Sequence, residues 1–403
     1  MEARREEKHQ ERETVKAGSF EDMERSLPAL PFRFTCSLVD NLSSYLGAHN
    51  PLAHPFNPAT DAVWLIDNTA FRSSVAPHHW TTEFVAAFFL KDSGKNAGDV
   101  VADIASKLGI AKGDAAEDTI AERVQPFVDA IGPARRIQIH VGGAEGPLLK
   151  LGASDRSGIS RSLKRFPREV QAADADTIES CADCKEESPE MRMTTVFAEP
   201  EGWAVISDVD DTIKRTLTSS PLGILRETFV SPPTPIASMP ELYTHIRQAL
   251  SSPPFFYLSA SPYNLYPFLR AFIREHYPQG TLHLREASWM NLAGLLGSLT
   301  QGTLEYKVAR MEKLHGWFPK RRVVCVGDST QTDPESYGRV CRKYPGWIKA
   351  VFIRKVTDVA QMEGTDKNDD ERFEKAFDGV PRDVWRTFED PNELYAAVDA
   401  LVK

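Results

Sequence analysis

Cysteine, basic excess and long apolar runs are all scarce in this chain of 403 residues, and each shortage closes a class of function. Five cysteines (Cys36, Cys181, Cys184, Cys325 and Cys341) form no dense framework. That excludes a disulfide-stapled secreted scaffold and points to a reducing compartment. Cys181 and Cys184 make one CxxC with no second pair, so they are read as incidental and not as a zinc site. No apolar stretch approaches the ~20 residues that a membrane-spanning helix needs. The opening MEARREEKHQERETVK has no apolar core, is not a signal peptide, and reads as disordered over residues 1–28. A net charge of −9 argues against nucleic acid as a partner, so any anionic partner must meet a local basic cluster. The expected setting is cytoplasmic, or peripheral on a membrane without a transmembrane segment.

What is present is enough for more than one core: 41% of residues are hydrophobic and 26% charged. Residues 29–170 mix strand-like DAVWLIDNTAFR, FVAAFFL and RRIQIHV with DVVADIASKLGI, which has helical periodicity and Gly109 near its end. This predicts a mixed α+β domain with no catalytic constellation; His78 and His79, in PHHW, suit a surface or packing role. RSGISRSLKRFPREV places Arg156, Arg161, Lys164, Arg165 and Arg168 around Ile159, Leu163 and Phe166. It is either a solvated edge or a stretch that lies on an anionic membrane. Residues 171–193 are acidic and aperiodic, and are read as an interdomain linker.

From residue 194 to 403 apolar strands (WAVIS, FFYLSAS, RRVVCVGDS, WIKAVFIR) alternate with helical stretches (PELYTHIRQAL, NLYPFLRAFIREHY, LEYKVARMEKLH). Such alternation predicts an α/β fold, a parallel sheet with helices on both faces and a ligand site beyond the carboxyl ends of its strands. Polar groups crowd those ends. WAVISDVDDTIK supplies Asp208, Asp210, Asp211 and Thr212, FFYLS ends in Ser259, Lys307 precedes the third strand, and VVCVGDSTQTDPE supplies Asp328 and Asp333. Carboxylates packed this closely serve a cation or a proton transfer. A phosphate monoester needs a nucleophile, an acid, a divalent cation and groups around the phosphoryl oxygens, and each has a candidate here.

The ordered set DVDDT, a strand-end Ser, a Lys and GDSTQTD resembles the haloacid dehalogenase superfamily. The longer strings FAEPEGWAVISDVDDTIKRTLTSSPLGILRETFV, YLSASPYNLYPFL and VCVGDSTQTDPESYG resemble the fungal actin-patch phosphatidate phosphatases, as do VWLIDNTAFR, ERFEKAFDGVP and WRTFEDPNELY. The resemblance implies a haloacid dehalogenase-like Rossmannoid sheet and hydrolysis of phosphatidate to diacylglycerol through an aspartyl-phosphate. It implies Asp208 as nucleophile, Asp210 as acid and base, and Thr212 among the catalytic set. Mg²⁺ would be held by Asp208, the backbone carbonyl of Asp210 and Asp328, with Asp333 acting through water. Ser259 and Lys307 would grip the phosphoryl oxygens. Asp211 would point away, and Lys214 would lie at the surface or touch a lipid head group. Only 46 residues separate the first two motifs and 47 the next two, so a large cap is expected to be absent. Leu222, Ile224, Leu225 and Phe229 are assigned to core packing or a lipid-dipping loop. Cortical actin patches and SH3 proteins enter as partners through the resemblance and the PPTP at 232–235. A protein phosphatase and a non-catalytic phosphatidate-binding module are the rival readings.

Overall fold

A computed structural model describes residues 44–72, 77–91, 93, 98–110, 115–185, 188–285, 302–359, 362 and 364–403. The expected disordered segment 1–28 lies outside these residues, as does Cys36.

The first sheet has nine strands. Its main ones are β1 (Asp61–Leu65), β2 (Asn68–Arg72), β3 (Trp80–Leu90), β4 (Gln138–Val141), β5 (Leu148–Lys150), β6 (Ile159–Arg165), β7 (Thr177–Ala182) and β8 (Arg192–Ala198). Helices α1 (Gly98–Lys107) and α2 (Ala115–Val128) cross one face. Gly109, at φ +69, sits just past α1, where a left-handed residue ends a helix without strain. DAVWLIDNTAFR is two strands, because Ile66 and Asp67 leave the ladder between β1 and β2.

β3 explains why FVAAFFL is apolar throughout. Phe84, Ala86 and Phe88 enter a core confined to the first sheet, whereas Val85, Ala87 and Phe89 enter a second core. That second core continues into Trp203, Val205, Phe255 and Tyr257. A strand buried on both faces has no polar face to show.

Residues 171–193 are not a linker. β7 lies between β8 and β4, antiparallel to both, and Glu179 pairs with Arg192 at 2.7 Å. β8 runs parallel to β2, so the first sheet extends to Ala198, beyond the expected boundary at 194. The basic stretch is likewise a strand: β6 pairs antiparallel with β3 over Ile159–Arg165. Leu163 is exposed, but Arg161 donates from Nη2 to the Tyr263 hydroxyl at 3.0 Å, so this arginine supports the fold.

The second sheet has six parallel strands: β9 (Trp203–Asp208), β10 (Phe255–Pro262), β11 (Gly280–Arg285), β12 (Arg322–Asp328), β13 (Ile348–Arg354) and β14 (Trp385–Phe388). Their spatial order is β11-β10-β9-β12-β13-β14, the doubly wound order. β9 is buried along its whole length, Val205 on one core and Ala204 and Ile206 on the other. Between β9 and β10 lie α3 (Pro221–Phe229) and α4 (Met239–Ala249). Leu222, Ile224, Leu225 and Phe229 of α3 are buried, so packing and not lipid contact accounts for them. These two helices belong to the core, and no domain-sized cap occupies the interval from 213 to 258. After β10 come α5 (Tyr266–His276) and β11, and residues 286–301 lie outside the described ones. α6 (Thr303–Trp317), α7 (Asp333–Lys343), α8 (Asp370–Ala376) and α9 (Tyr395–Ala400) complete the described α-helices.

One buried ion pair joins the two sheets. Arg270 of α5 donates from Nη2 and Nε to Asp67, at 2.7 and 3.0 Å, with Arg274 at 3.3 Å from the same carboxylate. Removing one partner of such a pair leaves an uncompensated charge. Arg270→Ala should therefore lower unfolding free energy by about 3 kcal/mol, moderated by Arg274, in a urea titration. A loss below about 0.5 kcal/mol, the level of an exposed pair, would show that the pair does not hold the sheets together.

Candidate active site

The order of the second sheet reverses between β9 and β12, and in sheets of this kind ligands bind beyond the strand ends at such a switch point. Asp208 closes β9 and Asp328 closes β12, so the topology sets both carboxylates at that point. Asp333 opens α7, and oxygens of Asp208, Asp328 and Asp333 all lie within 4.8 Å of one another, fully buried. This is the sole group among the described residues that offers three potential metal ligands of this kind. Gly327 makes it possible, since a Cβ there would stand 2.8 Å from Asp333 Oδ2.

Lys307, buried on α6, puts its ammonium 2.5 Å from Asp333 Oδ1 and 2.7 Å from Asp208 Oδ1. The second contact is ionic without an aligned hydrogen bond, so that buried oxygen keeps accepting capacity. Thr212 donates within reach of both Asp208 Oδ2 (3.1 Å) and Asp328 Oδ2 (3.0 Å). Thr330 Oγ1 bonds Asp328 Oδ1. Burial, reinforced by Asp333, holds the Asp208 carboxyl well above the usual range, although Lys307 opposes the shift. Asp328 is pushed up to about 7, again by burial first and then by Asp333 and Asp211. Burial works against the Lys307 charge, but Asp208, Asp333 and Asp328 outweigh it and raise its pKa. If all three carboxylates are ionised, one ammonium leaves two negative charges unbalanced, and the raised Asp208 and Asp328 values reflect that shortage of positive charge. Oxygen donors with that excess fit a hard divalent cation.

The Asp210 carboxylate lies outside this group. Its Oδ1 accepts from Thr216 Oγ1 at 2.9 Å and its Oδ2 from Ser259 Oγ at 2.6 Å. Ser259, expected to face the phosphoryl oxygens, is thus bonded to Asp210 here. Asp211 does point away, and it has a role that sequence reading missed. At φ +61 it accepts from the backbone N–H of Thr216 (2.9 Å), Leu217 (2.8 Å) and Thr218 (2.7 Å) and from the Thr218 hydroxyl (2.6 Å). The left-handed backbone costs about 1 kcal/mol or more, which these bonds offset.

Lys214 corrects the expectation of a surface residue: it is buried, with Nζ bonded to the Arg215 carbonyl at 2.9 Å and 3.3 Å from Thr216 Oγ1. Burial pulls its pKa below the ordinary lysine value, against Asp210, Glu227 and Asp211. Cys181 and Cys184 are not joined in a disulfide, and Cys184 Sγ lies 3.7 Å from Met191 Sδ. Among the described residues no helix is long and apolar enough to cross a membrane.

Residues 203–355 match the family described as Phosphatidate phosphatase APP1, catalytic domain. Asp208, Asp210, Thr212, Ser259, Lys307, Asp328 and Asp333 all fall within the match. Phosphatidate phosphatase APP1 of Saccharomyces cerevisiae is 25% identical over 248 residues, covering 59% of this chain and 41% of that protein. The chain therefore spans about two-fifths of the length of that relative.

The Asp211 clamp is directly measurable. Asp211→Ala should raise amide hydrogen exchange at Thr216, Leu217 and Thr218, by roughly tenfold or more for bonds to a buried charge. Unchanged protection at all three would show that Asp211 does not hold the loop.

Proposed function

We propose that this chain, whose residues 203–355 match the phosphatidate phosphatase APP1 catalytic-domain family, is a Mg²⁺-dependent phosphatase that releases diacylglycerol and phosphate from phosphatidate. The single observation behind the reading is the buried Asp208, Asp328, Asp333 and Lys307 cluster at the sheet's switch point, with Asp210 beside it. Within the haloacid dehalogenase-like reading of the fold, an Asp208 oxygen attacks phosphorus and the bond to the glycerol oxygen breaks. Asp210 gives its proton to that oxygen. In the second half Asp210 takes a proton from water, the water oxygen bonds phosphorus, and the Asp208–phosphorus bond breaks. Lys307 steadies Asp208 and offers positive charge to the phosphoryl oxygens, with Thr212 aligning Asp208 and Asp328. Asp208, Asp328 and Asp333 would hold Mg²⁺, together with the Asp210 carbonyl. Mg²⁺, when bound, supplies charge that offsets the clustered carboxylates and the phosphoryl oxygens. A pure phosphatidate-binding module has no use for both a nucleophile and an acid. Peripheral membrane association follows from the substrate, and placement at actin patches rests on the resemblance alone.

Phosphate release from phosphatidate in mixed micelles, from a phosphopeptide and from a soluble aryl phosphate tests the assignment. Asp208→Asn should abolish all turnover while circular dichroism stays native, because an amide cannot replace the nucleophile. Substantial activity in that folded variant would sink the mechanism, and preference for the phosphopeptide would replace the substrate.

Mg²⁺ is tested separately by thermal unfolding. At a hundredfold excess over its dissociation constant it should stabilise the folded protein by about 2.7 kcal/mol. Asp328→Asn should remove most of that shift; an unaltered shift would exclude Asp328 as a ligand.

A further inference from the structure

Burying Lys214 carries a cost that the carboxylate cluster does not explain. Its side chain is buried, and among the described residues no carboxylate oxygen lies within 4.0 Å of its ammonium. Desolvating a lysine without an ion-pair partner is expensive, and a surface position only a loop away would avoid it. What the ammonium does touch is informative. One bond goes to the Arg215 carbonyl at 2.9 Å, a second contact reaches Thr216 Oγ1 at 3.3 Å, and the Phe268 ring centre is 5.4 Å away. Thr216 has one hydroxyl proton, and two acceptors compete for it: Asp210 Oδ1 at 2.9 Å and the Lys214 carbonyl at 3.4 Å. The carboxylate is nearer and a stronger acceptor, so it takes the proton. The lone pairs left on Thr216 then face the ammonium.

The other side of Asp210 repeats this arrangement with different parts. Ser261 N donates to Ser259 Oγ at 3.0 Å, and Ser259 Oγ donates to Asp210 Oδ2 at 2.6 Å. Each oxygen of Asp210 is therefore bonded by a hydroxyl that is itself bonded by an N–H donor. Donor chains of this kind polarise one another in a buried setting and fix orientation more firmly than a lone contact. Held this way, the Asp210 carboxylate stands outside the group formed by Asp208, Asp328 and Asp333.

We propose that Lys214 and Thr216 are positioning residues for Asp210: the Lys214–Thr216 chain, opposite Ser261–Ser259, fixes the carboxyl that protonates the leaving oxygen. This rests on the acid role given to Asp210 above. It predicts a specificity as well as a rate. An alkoxide leaving group, as in a glycerol phosphate ester, departs only if protonated, whereas a nitrophenolate departs without help. The chain matters for the first and far less for the second.

The test compares phosphatidate with nitrophenyl phosphate for the full chain and four variants: Asp210→Asn, Thr216→Val, Thr216→Ser and Lys214→Met. The readout is the single-turnover rate of diacylglycerol or nitrophenolate release, which reports the first half-reaction alone; the base role of Asp210 in the second half is common to both substrates. Thr216→Val keeps shape and removes the hydroxyl. It should lower that rate on phosphatidate by about a hundredfold, the scale of general-acid catalysis, with a loss on nitrophenyl phosphate at least tenfold smaller. Thr216→Ser, which restores the hydroxyl, should recover most of the difference. Lys214→Met should show the same lopsided loss, and thermal melting identifies it if it fails to fold, in which case the two Thr216 variants decide. A merely structural role would lower both substrates together, so equal losses in Thr216→Val, or no recovery in Thr216→Ser, would overturn the proposal. Asp210→Asn separates the two levels. Equal loss on both substrates there would refute the acid role itself, whereas a lopsided loss in Asp210→Asn and an equal one in Thr216→Val would refute only the chain.

Discussion

A single ammonium, that of Lys307, stands between carboxylates that would otherwise repel one another in a dry interior. Asp208 and Asp333 both reach it, and Asp328 contributes to its elevated affinity for protons. At such short range in a low dielectric, like charges cannot all persist without a counter-charge. Three separate parts of the chain, two strand ends and the start of one helix, are therefore brought together around one cation carried by α6. The parallel sheet delivers them there because its order reverses between β9 and β12. Fold and chemistry are linked at that point.

Around this centre the hydroxyls divide the acids into two classes. Thr212 and Thr330 serve Asp208 and Asp328, while Thr216 and Ser259 serve Asp210. Neighbouring aspartates in DVDDT thus meet different surroundings despite being one or two residues apart. Asp211, the residue after Asp210, is committed to backbone N–H groups and shapes the loop on which Thr216 is carried. Chemically identical side chains acquire distinct tasks from local geometry alone.

Much of the catalytic half was legible, since strands buried on both faces read as unbroken apolar runs and each ended in a polar group. WAVIS and RRVVCVGDS carried the site with them. The stretch at 171–193 was not legible. In β7 the buried positions are Ser180 and Ala182, small residues that give no apolar signal, while Thr177 and Glu179 face outward. Lys214 was misjudged because lysine is seldom buried without a carboxylate partner, and nothing in its neighbours' identity announces the Thr216 hydroxyl. Ser259 was found, but its partner in this structure is Asp210, a contact that spans 49 positions and has no sequence signature. The basic stretch near Arg161 had the charge of a membrane edge, yet strand pairing and the Tyr263 hydroxyl claim part of it.

Strand β3 shows its alternate side chains to two different cores, one private to the first sheet and one continued by β9 and β10. Neither sheet can lose its order without exposing apolar surface of the other. Chains built from beads on a string melt bead by bead; this one lacks the seam at which that could start. Heating should therefore produce one heat-absorption peak with matching calorimetric and van't Hoff enthalpies, as in a single small domain, despite two sheets of different architecture.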